Sequence, residues 1–207
     1  MNPNPMDRAL ALAREAIGHT EPNPRVGCVL VDASGRVIGE GRTQPAGQPH
    51  AEVMALADAA SRGHSVAGAT AYVTLEPCSH HGRTGPCCDA LVAAGVARVV
   101  ASLQDPNPLV AGQGFARLRA AGIVVETGPG AEAARELNIG FFSRMVRGTP
   151  WVRMKIAATL DGQTALANGQ SQWITGPAAR ADGPPRAPRG PRGPEHGRRH
   201  RGKTLNA

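Results

Sequence analysis

Residues 69–88 read ATAYVTLEPCSHHGRTGPCC, and this stretch predicts a strand, a loop and a helix in succession. Its first seven residues are rich in β-branched and apolar side chains, which predicts a buried strand. A loop containing Pro and Gly follows, and residues 87–94 then predict a helix with Pro86 in its first turn. A strand followed by a helix is the repeating unit of α/β proteins.

The same alternation of strands and helices continues on both sides of this stretch. The predicted elements are a helix over 6–18, a β-hairpin over VGCVLVDASGRVIGEG (26–41), a helix from His50, a strand over 97–103, a helix over 115–121, a strand over 122–127 and one closing helix over 131–145. Alternating strands and helices predict a sheet covered on both faces, a three-layer α/β/α sandwich.

The sequence changes character twice after this domain. Near Thr149 a second unit begins, in which WVRMKIAATLDGQTA (151–165) predicts a strand and SQWITGPAARAD (171–182) predicts a turn towards a helix that does not develop. From Gly183 onward Pro, Gly and Arg dominate, so we expect a disordered tail without a core. The predicted segments are therefore 1–147, 148–182 and 183–207.

The positive charge of this chain lies in the tail. The net charge is +7, but residues 1–182 hold 16 basic and 15 acidic residues, whereas residues 183–207 hold seven basic residues and one acidic residue. Aromatic residues make up only 3% of the chain. A basic or aromatic face that binds nucleic acid is therefore not supported. We expect a cytoplasmic protein without a membrane partner, because neither a signal peptide nor a membrane span is predicted.

Three residues have the types and the placement of a catalytic zinc site. His50 and Cys87 begin predicted helices, and Cys78 follows a strand end, so rigid elements present all three. Three protein ligands leave a fourth position for water, whose pKa zinc lowers to about 7. Glu52, two residues after His50, is placed to carry that proton. His-x-Glu with Pro-Cys and a later Cys is the zinc deaminase signature, although here eight residues separate the cysteines.

Other interpretations of the same residues exist. HAE alone is an ordinary helix start, and an isolated Cys78 is more often a buried apolar residue. A structural zinc site would need a fourth ligand, from Cys88, His80 or His81. We expect Cys88 and Cys28 to pack in the core instead.

The motifs EPNPRVGCVLVD, PHAEV and TLEPCSHHGRTGPCCDALVAAGVARVVASLQDPNPLVAGQG together resemble the RibD family of riboflavin biosynthesis. That family joins a pyrimidine deaminase domain of the cytidine-deaminase fold to a C-terminal reductase domain. The resemblance extends over about residues 7–147. It implies hydrolytic deamination of 2,5-diamino-6-ribosylamino-4(3H)-pyrimidinone 5′-phosphate, with Zn²⁺ as cofactor and Glu52 as the proton carrier.

The resemblance also implies a set of substrate contacts. These are Asn23, His80, Arg83, Asp105 and Asn107. An Asn side chain can pair with a pyrimidine edge, and Arg can hold a phosphate. DPNP is also good turn chemistry, so a turn remains the alternative for Asp105 and Asn107. Where the family often has a histidine before the zinc histidine, this chain has Thr43, and the lost contact is either missing or supplied by Arg42.

The second unit resembles the first strand and turn of the family's reductase. Ala157, Ser171 and Trp173 match positions for NADPH and substrate there. We expect no reductase activity, because the sheet that would complete such a site is not expected here. The abrupt change after Asp182 suggests a reading-frame shift as a hypothesis that resequencing tests.

Two other functions remain open at the level of sequence. One is a deaminase of RNA bases or nucleosides, aided by the basic tail. The other is a zinc module without activity that binds nucleic acid through that tail. Oligomeric state is also left open, with a homo-oligomer among the alternatives.

Overall fold

The computed structural model describes residues 4–80, 85–108, 110–154, 156–171 and 173–181. The helices are α1 Pro5–Arg14, α2 Ala51–Ser61, α3 Cys87–Ala93, α4 Gln113–Ala120, α5 Ala131–Leu137, α6 Ile139–Arg147 and α7 Pro177–Ala181. The strands are β1 Gly27–Val31, β2 Val37–Arg42, β3 Thr70–Val73, β4 Arg98–Ala101 and β5 Val124–Thr127.

The five strands form one mixed sheet in the order β2-β1-β3-β4-β5. β1 pairs antiparallel with both β2 and β3, which makes the predicted hairpin the edge of the sheet. β3, β4 and β5 run parallel, and they are connected through α3 and α4. The carboxyl ends of β3 and β4 therefore lie side by side, which is where sites form in α/β sheets.

Both faces of the sheet are covered, which confirms the predicted three-layer architecture. Along β1 all five residues are buried, and they alternate between two clusters: Cys28 and Leu30 pack with α2 and α3, whereas Val29 and Val31 pack with α1. Alternation of side chains to opposite faces is the period of a strand. A central strand covered on both sides needs the continuous apolar run that GCVLV provides.

The helix that carries His50 and Glu52 lies unusually close to the sheet. A Cβ atom added at Gly41 would lie 2.3 Å from the carbonyl oxygen of Ala51. The backbones of β2 and α2 are therefore in contact, with only small side chains such as Ala55 between them. This close packing fixes the start of α2 relative to the sheet.

The closing helix predicted over 131–145 is instead two helices, and that prediction was wrong. α5 and α6 are separated at Asn138, whose φ of −111° and ψ of 20° depart from helical values. The Asn138 side chain accepts the N–H of Arg25 at 2.8 Å and donates to its carbonyl at 2.9 Å. These long-range bonds explain the break, because helical periodicity alone does not record them.

The chain divides after Met154 into two compact units, and the preceding elements through α6 belong to the first. Among the described residues of the second unit there are two tight turns, at 159–163 and 166–170, and the short helix α7. The strand predicted over 151–165 is not found in the described residues of that range. A strand needs a neighbour for its N–H and C=O groups. The helix that we expected not to develop is present as α7.

Within the described part of the chain, no helix has the length and apolar character that a membrane crossing requires. The tail predicted to be disordered, 183–207, lies outside the described residues.

Candidate metal and deaminase site

Three side chains converge where α2, β3 and α3 meet. His50 is the N-cap residue of α2, Cys78 follows the end of β3, and Cys87 is the first residue of α3. The Nδ1 atom of His50 lies 3.5 Å from Sγ of Cys78 and 3.3 Å from Sγ of Cys87. The positions of these residues at two predicted helix starts and after a predicted strand indicate the same convergence. We call these three residues the metal group.

The spacing of the metal group fits a tetrahedral zinc ion. All three ligand atoms lie within 4.8 Å of one another. With Zn–S near 2.3 Å and Zn–N near 2.0 Å, two ligand atoms on a tetrahedron lie about 3.5 Å apart. The sulfur–nitrogen distances match that value. One imidazole and two thiols also form a donor set that zinc prefers over magnesium or calcium.

The pKa values of the two thiols in the metal group are shifted in opposite directions. The neighbouring Cys87 and His50 lower the pKa of the Cys78 thiol. The neighbouring Cys78, together with burial, raises the pKa of the Cys87 thiol. The backbone N–H of Cys87 donates to Cys78 Sγ at 3.3 Å. A metal cation would displace any remaining thiol proton, since only thiolates ligate.

Glu52 is buried beside the metal group. It lies in the first turn of α2 and its residue is 3% exposed. Burial raises the pKa of Glu52 to about 7, and the charge of Cys78 acts in the same direction. A carboxyl that exchanges its proton near neutral pH is suited to acid–base work.

A cavity of about 450 Å³ opens onto His50, Cys78 and Glu52. It is lined by Pro22, Asn23, Pro24, Val26, Thr43, Ala46, Gly47, Gln48, His50, Glu52, Leu75, Glu76, Cys78, His80, Asp105, Asn107, Val110, Phe141, Arg144 and Met145. We call the lining formed by residues 22–24, by residues 105, 107 and 110, and by α6 the loop wall. The volume suits a small molecule rather than a macromolecular surface.

Four of the five predicted substrate residues line this cavity. They are Asn23, His80, Asp105 and Asn107. Arg83 lies outside the described residues. The backbone N–H of Asn23 donates to Thr20 O at 2.8 Å, which holds the segment before β1 in a turn.

The DPNP segment forms the expected turn, and two of its residues line the cavity. Asp105 Oδ1 accepts the backbone N–H of Asn107 at 2.8 Å, which is the turn expected from these residue types. The same two residues line the cavity. Burial raises the pKa of the Asp105 carboxyl. The turn is therefore compatible with both residues lining the cavity, and their contact with substrate stays a prediction.

Thr43 lines the cavity, and Arg42 does not belong to its lining. Thr43 is buried, and its Oγ1 accepts the N–H of Val26 at 3.1 Å. Arg42 is exposed, and its guanidinium donates to Glu15 at 3.2 Å. The structure therefore places the guanidinium of Arg42 in a surface ion pair.

Among the described residues, the alternative zinc ligands Cys88 and His80 do not belong to the metal group. Cys88 is fully buried in the apolar cluster beneath α2 and α3, as predicted, and so is Cys28. In the described part of the chain, the only group of three or more potential ligands is the metal group itself. His80 lines the cavity but does not belong to the metal group, and His81 lies outside the described residues.

The residues predicted for a reductase site lie in the second unit. Ala157, Ser171 and Trp173 are all exposed. The guanidinium carbon of Arg180 lies 4.1 Å from the centre of the Trp173 ring, a cation–π contact. NADPH binding by these residues stays a prediction.

Two features of the cavity were missed by sequence analysis. Glu76 is buried, and both its carboxylate oxygens accept backbone N–H groups 29 to 39 residues later in the chain. The lining residues Phe141, Arg144 and Met145 come from α6, which was predicted only as part of a closing helix. Arg144 of α6 donates to the carbonyl of Pro22 at 2.6 Å, which connects two segments of the loop wall. The carboxylate in LEPC was the available signal for Glu76.

Two family models match separate stretches of the chain. Residues 2–103 match the cytidine and deoxycytidylate deaminase zinc-binding region, which contains the whole metal group. Residues 150–183 match the RibD C-terminal domain.

Several known proteins are similar over a longer stretch. The riboflavin biosynthesis protein RibD of Escherichia coli is 60% identical over 177 residues, which cover 86% of this chain and 47% of that protein. RibD of Haemophilus influenzae is 54% identical over 177 residues, which cover 86% of this chain and 46% of that protein. The chain therefore spans about half the length of the curated relatives it matches.

Solved structures agree with this similarity. A structure of Acinetobacter baumannii RibD has a TM-score of 0.76 at 54% identity, covering 86% of this chain and 49% of that one. A diaminohydroxyphosphoribosylaminopyrimidine deaminase/5-amino-6-(5-phosphoribosylamino)uracil reductase from Thermotoga maritima has a TM-score of 0.77 at 43% identity, covering 83% and 49%.

Proposed function

The chain is a homologue of the riboflavin biosynthesis protein RibD over its deaminase region and a short stretch of the RibD C-terminal domain, and we propose that it is a zinc-dependent pyrimidine deaminase. The proposed substrate is 2,5-diamino-6-ribosylamino-4(3H)-pyrimidinone 5′-phosphate, and the products are ammonia and 5-amino-6-(5-phosphoribosylamino)uracil.

One observation carries this proposal. His50 and Cys78 of the metal group line the same cavity as the buried carboxyl of Glu52, and the volume of that cavity suits a small molecule. A metal with an open position and an adjacent carboxyl are the two components that hydrolytic deamination needs. Structural zinc sites use four protein ligands, and the metal group supplies three.

The residues around the metal group have distinct tasks in this reaction. Zinc held by His50, Cys78 and Cys87 would supply a water molecule that loses its proton near neutral pH. Glu52 accepts the proton of that water and later donates a proton to the departing amine. Water thereby replaces the exocyclic amine on the ring: a C–O bond forms, the C–N bond breaks, and ammonia leaves. Burial raises the pKa of Glu52 to about 7, which supports a role in both accepting and donating a proton near neutral pH.

The loop wall supports recognition of a phosphorylated pyrimidine. The amide of Asn23 has one donor and one acceptor edge, which matches the edge of a pyrimidine. Asp105 and Asn107 offer further polar groups from the turn after β4. His80 is exposed at the cavity and is assigned, with Arg83, to the ribose phosphate end.

Release of ammonia from four compounds tests the proposal. The protein is incubated with the diaminopyrimidine ribosyl phosphate, its dephosphorylated form, cytidine and a short adenosine-containing RNA, and its zinc content is measured in parallel. We expect about one zinc per chain and turnover of the phosphorylated diaminopyrimidine at least 100-fold faster than that of the other compounds. Faster turnover of cytidine or RNA would contradict the substrate, and a zinc-loaded protein inactive on all four would contradict the function.

A further inference from the structure

Glu76 has no task in the chemistry described above, although its carboxylate is buried and fully engaged. Its residue is 5% exposed. Oε2 accepts the backbone N–H groups of Asp105 at 3.0 Å and Gly112 at 2.9 Å. Oε1 accepts those of Gly114 at 2.8 Å and Phe115 at 3.3 Å. Hydrogen bonds to a charged acceptor are stronger than those between neutral groups.

These four donors lie at the two ends of a single loop. Asp105 follows β4, whereas Gly112 is the N-cap of α4, and Gly114 and Phe115 belong to its first turn. The N-cap of α4 provides no side-chain hydrogen bond of its own, and the first N–H groups of a helix need acceptors. Glu76 therefore caps α4 from a distant segment and joins the start of the loop to its end.

Gly114 allows the two segments to approach closely. A Cβ atom at this position would lie 2.0 Å from the carbonyl oxygen of Pro77 and 3.1 Å from Oε1 of Glu76. The first turn of α4 is thus in backbone contact with the segment that leads to Cys78. This contact accounts for the second glycine of the GQG motif at 112–114.

The loop held in this way carries two residues that line the cavity, Asp105 and Asn107. We propose that Glu76 is a positioning residue of the deaminase site, which fixes this loop relative to the segment that carries Cys78. The inference rests on the proposed function, in which Asp105 and Asn107 contact the substrate. Because both oxygens of Glu76 are used by backbone N–H groups, its effect reaches the substrate through the loop.

Glu76→Gln tests the proposal, since it replaces one acceptor oxygen by an NH₂ group that faces backbone donors. Steady-state ammonia release and zinc content are measured on the purified full chain. We expect KM for the diaminopyrimidine phosphate to rise about 10-fold to 100-fold, because small displacements of positioning groups have effects of this size. We expect kcat to fall by a smaller factor and zinc to stay at the wild-type level. Loss of zinc, or a fall in kcat with unchanged KM, would overturn the proposal.

Glu40→Gln is the matched control. The Glu40 carboxylate also accepts two hydrogen bonds, at 2.8 and 2.7 Å, but from the side chain of Arg8 and away from the cavity lining. We expect its KM and kcat to stay within about twofold of wild type, as for most surface ion pairs. An equal rise in KM for this variant would assign the Glu76 effect to general loosening and would overturn the positioning role.

Gly114→Ala perturbs the same junction from the side of α4. We expect it to raise KM as well, and the double variant with Glu76→Gln to be less impaired than the product of the single effects, because both changes act on one contact. Fully multiplicative effects would contradict a shared junction.

Amide hydrogen exchange tests whether the hydrogen bonds to Glu76 hold the loop. This measurement needs neither enzyme activity nor a folded variant. In the wild-type protein, the amides of Asp105 and Gly112 should exchange at least about 100-fold more slowly than exposed loop amides. Rapid exchange at both would overturn the proposal. If the wild-type protein is inactive but both amides exchange slowly, the proposed function is refuted, whereas the fixing of the loop by Glu76 is supported.

Discussion

His50 and Cys78 of the metal group line the same cavity as the loop wall, but the two groups are built in different ways. The metal group consists of side chains at two helix starts and in the segment after β3, with His50 Nδ1 3.3 to 3.5 Å from the two sulfur atoms. The loop wall is held largely through backbone groups. The N–H groups of Asp105 and Gly112 donate to Glu76, and the carbonyl of Pro22 accepts from Arg144. The difference assigns chemistry to one side and recognition to the other. Substitutions in the metal group should therefore change kcat and zinc content, and substitutions in the loop wall should change KM.

The strongest test of this division compares two adjacent cysteines. Cys87→Ala removes a ligand and leaves two in the metal group. We therefore expect the variant to lose its bound zinc and its ammonia release to fall below detection. Cys88→Ala removes a buried thiol of the apolar core. We expect that variant to retain zinc and kcat while losing about 1 kcal/mol of unfolding free energy.

Zinc analysis, ammonia release and denaturant unfolding of both variants provide the measurement. Retained activity in Cys87→Ala would break the assignment of the metal group. Loss of zinc in Cys88→Ala, with the protein still folded, would make Cys88 a fourth ligand and favour a structural site.

Glu52→Gln separates proton transfer from metal binding within the chemical side of the cavity. The amide is similar in size but cannot accept and return a proton, so kcat should fall by about 100-fold to 10,000-fold. Zinc content should equal that of wild type, because the metal group is unchanged. Zinc analysis and steady-state kinetics on the same preparation check both points. A variant that keeps more than a tenth of wild-type kcat would contradict the role of Glu52.

Much of the chemical side was predictable from the sequence because its signals are local. HAE begins a helix and PC follows a strand, so residue type and element boundary together placed His50, Cys78 and Cys87. The apolar, β-branched run of β1 likewise predicted a strand, and all five of its residues are buried. In each case a short window of sequence contains both the side chain and the reason for its position.

The loop wall was less predictable because its contacts are long-range and involve the backbone. Nothing in residues 105–115 shows that their N–H groups meet Glu76, since any residue except proline supplies an N–H group. The break between α5 and α6 has the same origin, because Asn138 bonds to Arg25, 113 residues earlier. The strand predicted over 151–165 was wrong for a related reason, since strand propensity does not provide a pairing partner.

Asn23→Ala tests the recognition side. The segment before β1 is held by the backbone bond from Asn23 to Thr20 and by the bonds between Arg25 and Asn138, all of which the substitution leaves in place. We expect KM to rise about 10-fold, the usual effect of removing one hydrogen bond to a bound ligand, with kcat reduced less. Steady-state kinetics provide the measurement, and unchanged zinc serves as the internal control. A fall in kcat alone would move Asn23 to the chemical side.

Arg42→Ala should have the smallest effect. It tests whether Arg42 supplies the substrate contact expected where this chain has Thr43 and the resembled family often has a histidine. The Arg42 guanidinium forms a surface pair with Glu15, with both side chains about half exposed, and it does not belong to the cavity lining. Such pairs contribute little, so we expect KM and kcat within about twofold of wild type. Steady-state kinetics on Arg42→Ala and Glu15→Ala check this, because breaking the pair from either side should give the same result. A rise in KM above about 10-fold in Arg42→Ala alone would show that Arg42 turns into the cavity when substrate binds, and it would extend the loop wall to β2.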